Sequence, residues 1–269
     1  MRDMRDTLRA TFGRVLGLEN RRRAPRPGRL EHIDAPRKMT VYLPPGYERG
    51  AARYPVLYMQ DGQNLFEPER AFIPGQHWRL AETADDAISE RTAQPMIIVG
   101  IDHAGPARIE EYTPTHDPSR DVGGGAGEYA DLLIDELKPL IDSRYRTIPS
   151  DTGLGGSSLG GLVALYIGLT RPDVFSKLAV LSPSVWWNNR AILQELDRFK
   201  GPRPRMWVDV GGREGKDTLR DARTLRDRLQ EKGWTRQDFA YLEDPRGDHS
   251  ERAWSRRVRK ALEFLYPPV

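Results

Sequence analysis

The sequence predicts an α/β fold, a mostly parallel central sheet covered by helices on both faces. Two observations carry that expectation. Short apolar runs alternate along the chain with segments of helical periodicity, as a parallel sheet buried on both faces requires. The length, 269 residues, is long for an ordinary domain but usual for one α/β sheet with its covering helices, and it suffices to bury a core without disulfides or a structural metal.

The elements follow in order. Met4, Leu8, Phe12, Val15 and Leu16 lie close to helical spacing with arginines between them, so residues 4–18 read as an amphipathic helix. Arg21 to Arg23, Pro25 and Pro27 then read as a connector. Residues 1–36 are therefore expected to be an N-terminal helix and linker, and residues 37–269 the main domain. Met39 to Leu43 alternates as a strand and is closed by Pro44, Pro45 and Gly46. Further strands are expected at Val56–Met59, Met96–Ile101, Thr152–Gly155, Lys177–Leu181, Met206–Val210 and Phe239–Leu242. Between them Tyr129, Leu132, Leu133, Leu137, Leu140 and Ile141 form one apolar helical stripe, and Leu219, Ala222, Leu225 and Leu229 another. A last helix carries Trp254, Val258, Leu262 and Leu265. Gly123 to Gly125 end a loop; they have neither the spacing nor the following Lys-Ser/Thr of a phosphate cradle.

Composition narrows the function. Lysine and arginine number 42 against 39 acidic residues, a formal charge of only +3, which describes a solvated, salt-laced surface and not a nucleic-acid footprint. The absence of cysteine removes thiolate catalysis, redox pairs and sulfur metal sites, and fits a reducing compartment. No long uncharged apolar run is present, so neither membrane insertion nor a membrane partner is expected and a cytoplasmic location is. His32, His77, His103, His116 and His249 are scattered, with no metal-ligand spacing such as HExxH.

The chemistry is concentrated in Thr152-Gly153-Leu154-Gly155-Gly156-Ser157-Ser158-Leu159-Gly160-Gly161, which leads directly into the apolar helical run Leu162 to Leu169. Gly156, Ser158 and Gly160 make a GxSxG between a strand and a helix, the context a nucleophile elbow needs. Small residues on either side let strand and helix approach, and the helix N-terminus faces the serine with free amides. Ser157 is a neighbouring rival, but only Ser158 has glycine at both flanking positions. A serine hydroxyl needs a base. His249 is the only histidine after Ser158, and it sits in the polar turn Asp244 to Ser250 between the last strand and the last helix. The acid is expected after the Met206–Val210 strand. Asp209 lies within the strand pattern and Asp217 begins the next helix, so Glu214, in the loop past Gly211 and Gly212, is the choice, with Asp217 as the alternative acid. One oxyanion amide is expected from Leu159, the residue after the nucleophile, and the second from the loop after Val56–Met59, at Gln63 or Gly62.

Four stretches now carry a resemblance: MQDGQNLF from Met59, VGID followed by EYTP between Val99 and Pro114, GGSSLGG, and SPSVWW from Ser182 to Trp187. With His249 they span most of residues 38–266, and the chain resembles the esterase family that includes enterochelin esterases, feruloyl esterases, S-formylglutathione hydrolases and mycolyltransferases. The resemblance looks closest to the enterochelin-esterase branch, in which the early loop often begins with His where this sequence has Gln60. It implies an α/β-hydrolase fold, no cofactor, no metal, and cleavage of a small-molecule ester through an acyl-enzyme, with Trp186, Trp187, Arg108, Glu111 and Tyr112 bordering the substrate. An acyltransferase using the same triad, or a non-catalytic binding member of the fold, are the alternatives; neither acyl specificity nor oligomeric state is readable from the residues.

Overall fold

The computed structural model describes residues 27–268. The amphipathic helix expected over residues 4–18 lies outside the described residues. Eight strands form one sheet in the order β1-β2-β4-β3-β5-β6-β7-β8. They are β1 (Arg29–Ile33), β2 (Met39–Leu43), β3 (Tyr54–Gln60), β4 (Ile97–Ile101), β5 (Thr147–Ser157), β6 (Lys177–Leu181), β7 (Arg205–Gly211) and β8 (Phe239–Asp244). β1 pairs with β2 and β2 with β4 antiparallel, and every later pairing is parallel. All seven expected strands are present. The sheet starts earlier than the expected boundary at residue 37, because Arg29–Ile33 forms an edge strand. Its sequence RLEHI is only partly buried, with Ile33 alone in the core, and Arg29, Glu31 and His32 leave no continuous apolar run to read, as charged edge strands avoid further pairing.

The helices are α1 (Leu80–Ser89), the single turn α2 (Arg108–Glu111), α3 (Ala126–Asp131), α4 (Lys138–Arg144), α5 (Leu159–Thr170), α6 (Trp187–Arg198), α7 (Lys216–Glu231) and α8 (Glu251–Leu265). A wider π turn, Leu132–Leu137, joins α3 to α4. It ends two residues before Pro139, which lacks the N–H that a regular helix would use there. The core divides into two clusters, one on each face of the sheet. Tyr129, Leu133, Leu137, Leu162, Leu165, Ile192, Leu225 and Leu229 pack with Val56, Tyr58 and Val208 on one face. Leu80, Ala84, Ala87, Trp254, Val258, Leu262 and Leu265 pack with Leu57, Met59 and Ile98 on the other. Helix α5 is buried along nearly its whole length, so its sequence is apolar all round instead of striped.

Helix α8 closes the second face and brings up the segment that carries His249. Ser250 is its N-cap, with extended backbone and a hydroxyl that accepts the Ala253 amide at 3.3 Å. Replacing a capping serine by alanine leaves that amide poorly satisfied, at a cost of about 1 kcal/mol. Ser250→Ala is expected to lower Tm by about 2–4 °C in thermal unfolding; an unchanged Tm would mean that the Ser250 carbonyl, which also accepts Ala253 N, caps the helix unaided.

No helix among the described residues is long and apolar enough to cross a membrane.

Candidate active site

Strand β5 delivers Ser158 at its carboxyl end, in the gap before α5. Its backbone has φ 57° and ψ −123°, a conformation an L-residue adopts only when the surroundings impose it. The glycines on either side make that possible. A Cβ on Gly156 would lie 2.7 Å from the Gly160 carbonyl carbon and 2.9 Å from Gln60 Cβ. One on Gly160 would lie 3.0 Å from Gln60 Cβ and 3.1 Å from an Asp61 carboxylate oxygen. Strand, helix and the end of β3 thus meet closer than any side chain would allow.

The structure brings the three sequence-predicted residues together. His249 Nε2 is 2.9 Å from Ser158 Oγ, and His249 Nδ1 is 2.7 Å from Glu214 Oε2. An ionised carboxylate only accepts, so Nδ1 carries the proton toward Glu214 and the Nε2 lone pair faces the serine hydroxyl. The Glu214 side chain is 1% exposed. Its other oxygen accepts the Gly211 amide at 2.7 Å and the Ser182 hydroxyl at 2.6 Å. The rival carboxylates lie elsewhere. Asp217, on the first turn of α7, is 83% exposed and pairs with Arg220. Asp209 is fully buried, accepting Trp207 Nε1 at 2.9 Å and Arg257 Nε at 3.0 Å. Burial pushes the Asp209 carboxyl up to about 6 against the pull of Arg257 and the Trp207 N–H.

A supporting layer that sequence reading did not single out holds these residues. Ser182, at φ 40° just past β6, donates to Glu214 and accepts from Trp254 Nε1 at 3.0 Å and Arg257 Nη2 at 2.7 Å. The Trp254 ring meets the His249 ring edge to face, centroids 4.9 Å apart, a contact that restrains the imidazole in addition to its hydrogen bonds. Ser184 Oγ lies 3.3 Å from Ser158 Oγ, and the Ser184 amide donates to the Ser158 carbonyl. One signal pointed here: Arg257 stands on the apolar stripe of α8, three residues after Trp254 and one before Val258, where an arginine needs a buried partner.

The cavity over Ser158 has a volume of about 420 Å³. Gln63, Arg108, His103, Phe72, Ile109 and Glu251 are among its walls. Leu159 is the first residue of α5, and Gln63 lies in the single 3-10 turn Gly62–Asn64 after β3. No hydrogen bond engages the amide of either among the described residues. Arg108 is clamped to Asp61 by a bidentate pair at 2.7 and 2.8 Å. Burial, with Asp61 adding to it, raises the Glu251 carboxyl above its ordinary value.

Four of the five expected substrate-bordering residues are absent from that cavity. Tyr112 is fully buried, and its hydroxyl accepts the Asp61 amide. Trp187 is buried with Nε1 donating to the Thr115 carbonyl at 2.8 Å. Trp186 is exposed, but it lies tilted against Trp187 with the Arg120 guanidinium over its ring, and it does not line the cavity. Glu111 is likewise occupied, in a bidentate pair with Arg37. Only Arg108 of that set faces the cavity, because EYTP and SPSVWW turn their large side chains back to brace the loops.

A family described as "Putative esterase" matches residues 31–265. The chain is 27% identical over 250 residues to the uncharacterized protein YbbA of Bacillus subtilis, covering 88% of this chain and 95% of that one. Over 163 residues it is 33% identical to ferri-bacillibactin esterase BesA of the same organism, 55% of this chain and 54% of that relative, so it spans about half of BesA. Among solved structures, BES protein from Bacillus cereus superposes with a TM-score of 0.67 at 22% identity, over 89% of this chain and 94% of that one. The enterobactin esterase FES from Shigella flexneri does so with a TM-score of 0.70 at 20% identity, over 90% of this chain and 60% of that one. Both structural likenesses speak to fold alone. The family match extends to nearly the whole described chain, and the protein therefore belongs to this esterase family, a carboxylic ester hydrolase on an α/β-hydrolase fold.

Proposed function

We propose that the protein hydrolyses small-molecule carboxylic esters through an acyl-enzyme on Ser158. The observation that carries this reading is the continuous relay from Ser158 Oγ through His249 to Glu214, at 2.9 and 2.7 Å. Ser158 attacks the ester carbonyl as His249 Nε2 takes its proton, and His249 returns that proton to the departing alkoxide. Water then enters, gives its proton to the same nitrogen and releases the acid. Glu214 fixes the Nδ1–H tautomer and stabilises the imidazolium. The Leu159 and Gln63 amides donate to the tetrahedral oxyanion, each such donor being worth about 10²–10³ in kcat.

The names of several relatives point to siderophore esters, and the cavity supports a substrate with an aromatic arm. Phe72 is 75% exposed and Ile109 39% exposed at its mouth, apolar surface that an aromatic acyl group would cover. The first test is covalent. Incubation with a fluorophosphonate should add one phosphonyl group per chain, recovered on the Ser158 peptide by mass spectrometry and lost in His249→Ala. Label on Ser157 or Ser184, or none on a protein that cleaves esters, would overturn the assignment. Initial rates on p-nitrophenyl esters of increasing length, methyl ferulate and an enterobactin-type catecholate lactone then rank the acyl group; preference for the short p-nitrophenyl esters would remove the aromatic arm.

A further inference from the structure

A second cavity, of about 670 Å³, lies on the far side of the loop that carries His249 and shares no wall residue with the cavity over Ser158. Arg252, Arg256 and Lys260 are spaced four apart on α8 and stand in one exposed row along its wall. Arg213, from the loop after β7, and Arg246, from the loop after β8, complete it. Among the described residues none of these five side chains makes a salt bridge or hydrogen bond. The contrast with the neighbouring helix is sharp: on α7 Arg220, Arg223, Arg226 and Arg228 all have carboxylate partners.

The floor of the cavity supplies an independent sign. Arg257 is 2% exposed, with Nε on Asp209 and Nη2 on Ser182, yet its Nη1 is buried without an acceptor and the residue lines this cavity. Buried guanidinium nitrogens ordinarily find an acceptor, so the base of this cationic cavity carries a donor whose need is unmet.

We propose that this cavity binds a small phosphate compound bearing at least two phosphoryl groups. The row from Arg252 to Lys260 rises about 12 Å along the helix, more than one phosphoryl group can bridge. The arginine forks match phosphate oxygens two at a time. Three carboxylates share the wall, and all are engaged: Glu243 with Arg223 and Tyr241, Asp244 with the Arg246 amide, Asp248 with the Ser250 hydroxyl. Their charge disfavours a long polyanion such as nucleic acid, and the concave shape suits a small molecule. The site stands apart from the ester chemistry and does not depend on it.

Calorimetric titration of the full chain with inorganic pyrophosphate, at about 0.15 M salt to screen diffuse charge, tests the proposal. One saturable site is expected, with orthophosphate at matched ionic strength binding about tenfold or more weakly. Arg252→Ala/Arg256→Ala, at exposed positions outside the triad, should weaken pyrophosphate by about tenfold or more. Its Tm and its rate on p-nitrophenyl acetate without pyrophosphate should match the parent. Absence of saturable heat up to about 10 mM, an affinity below the useful range, would overturn the site. So would an unchanged affinity in the double variant, or orthophosphate binding as tightly as pyrophosphate.

Discussion

Ser158→Ala is expected to lower kcat on an activated ester by about 10³- to 10⁶-fold while leaving the fold intact. Among the described residues the side-chain oxygen it removes is hydrogen-bonded only to His249 and Ser184, and the backbone strain at φ 57° is imposed by the Gly156 and Gly160 contacts, which remain. His249→Ala should lose a comparable factor, since nucleophile and base act as a unit. Glu214→Ala should retain more activity, because a neutral imidazole can still accept the serine proton once oriented by chance. It should also lose stability, which separates it from the other two. Removing that carboxylate strands the Gly211 amide and the Ser182 hydroxyl at a fully buried point, at about 1–3 kcal/mol for each orphaned group. Steady-state kinetics and thermal unfolding on the three variants read both effects. Equal rates for Ser158→Ala and its parent would sink the nucleophile assignment; a Glu214→Ala variant as stable as Ser158→Ala would show that water replaces the carboxylate.

The sequence carried the strands of the parallel sheet because burial on both faces makes them continuous apolar runs. It singled out Ser158 and His249, whose side chains lie 2.9 Å apart, because an elbow and chain order leave few choices. Glu214 was readable through Gly211 and Gly212, which take the chain off β7 into a loop. What escaped was set by pairing across the chain. β1 is short, mixed in polarity and only partly buried, so no clear local pattern marks it, and its place depends on the edge that β2 offers. The roles of Ser182, Trp254 and Arg257 arise where β6, β7 and α8 converge, contacts between residues up to 75 apart. The aromatic residues of SPSVWW and EYTP, expected to border the substrate, do not line the cavity over Ser158, because an aromatic in a loop reads the same whether it points outward or, like Trp187 and Tyr112, back into the body.

Arg257→Met is expected to have the largest effect on stability among single changes near the site, about 3–5 kcal/mol, or a fall in Tm on the order of 10 °C. Methionine has a similar length and fits the apolar stripe of α8, so the cost is electrostatic. Asp209 is fully buried, and Arg257 is its only charged partner among the described residues. With the guanidinium gone, an uncompensated carboxylate is left with the Trp207 N–H alone. The pH dependence follows from the direction of the Asp209 shift. Its folded value, already raised to about 6 by burial, rises further in the variant, so the folded state binds a proton that the unfolded chain releases near 4. Stability from such a raised carboxyl is present at low pH and lost as pH climbs through the folded value. The gap in Tm between parent and Arg257→Met should therefore narrow as pH falls from about 8 toward 5. Arg257→Met/Asp209→Asn, which keeps an acceptor for Trp207 but removes the charge, should recover most of the lost stability and abolish that pH dependence. Recovery without any pH dependence in the single variant would mean that Asp209 stays ionised in the folded and unfolded states alike throughout the range, so that folding takes up no proton. No recovery at all would place the cost instead in Ser182 and Glu214, whose hydrogen bonding Arg257 also supports, and kcat should then fall in step with Tm.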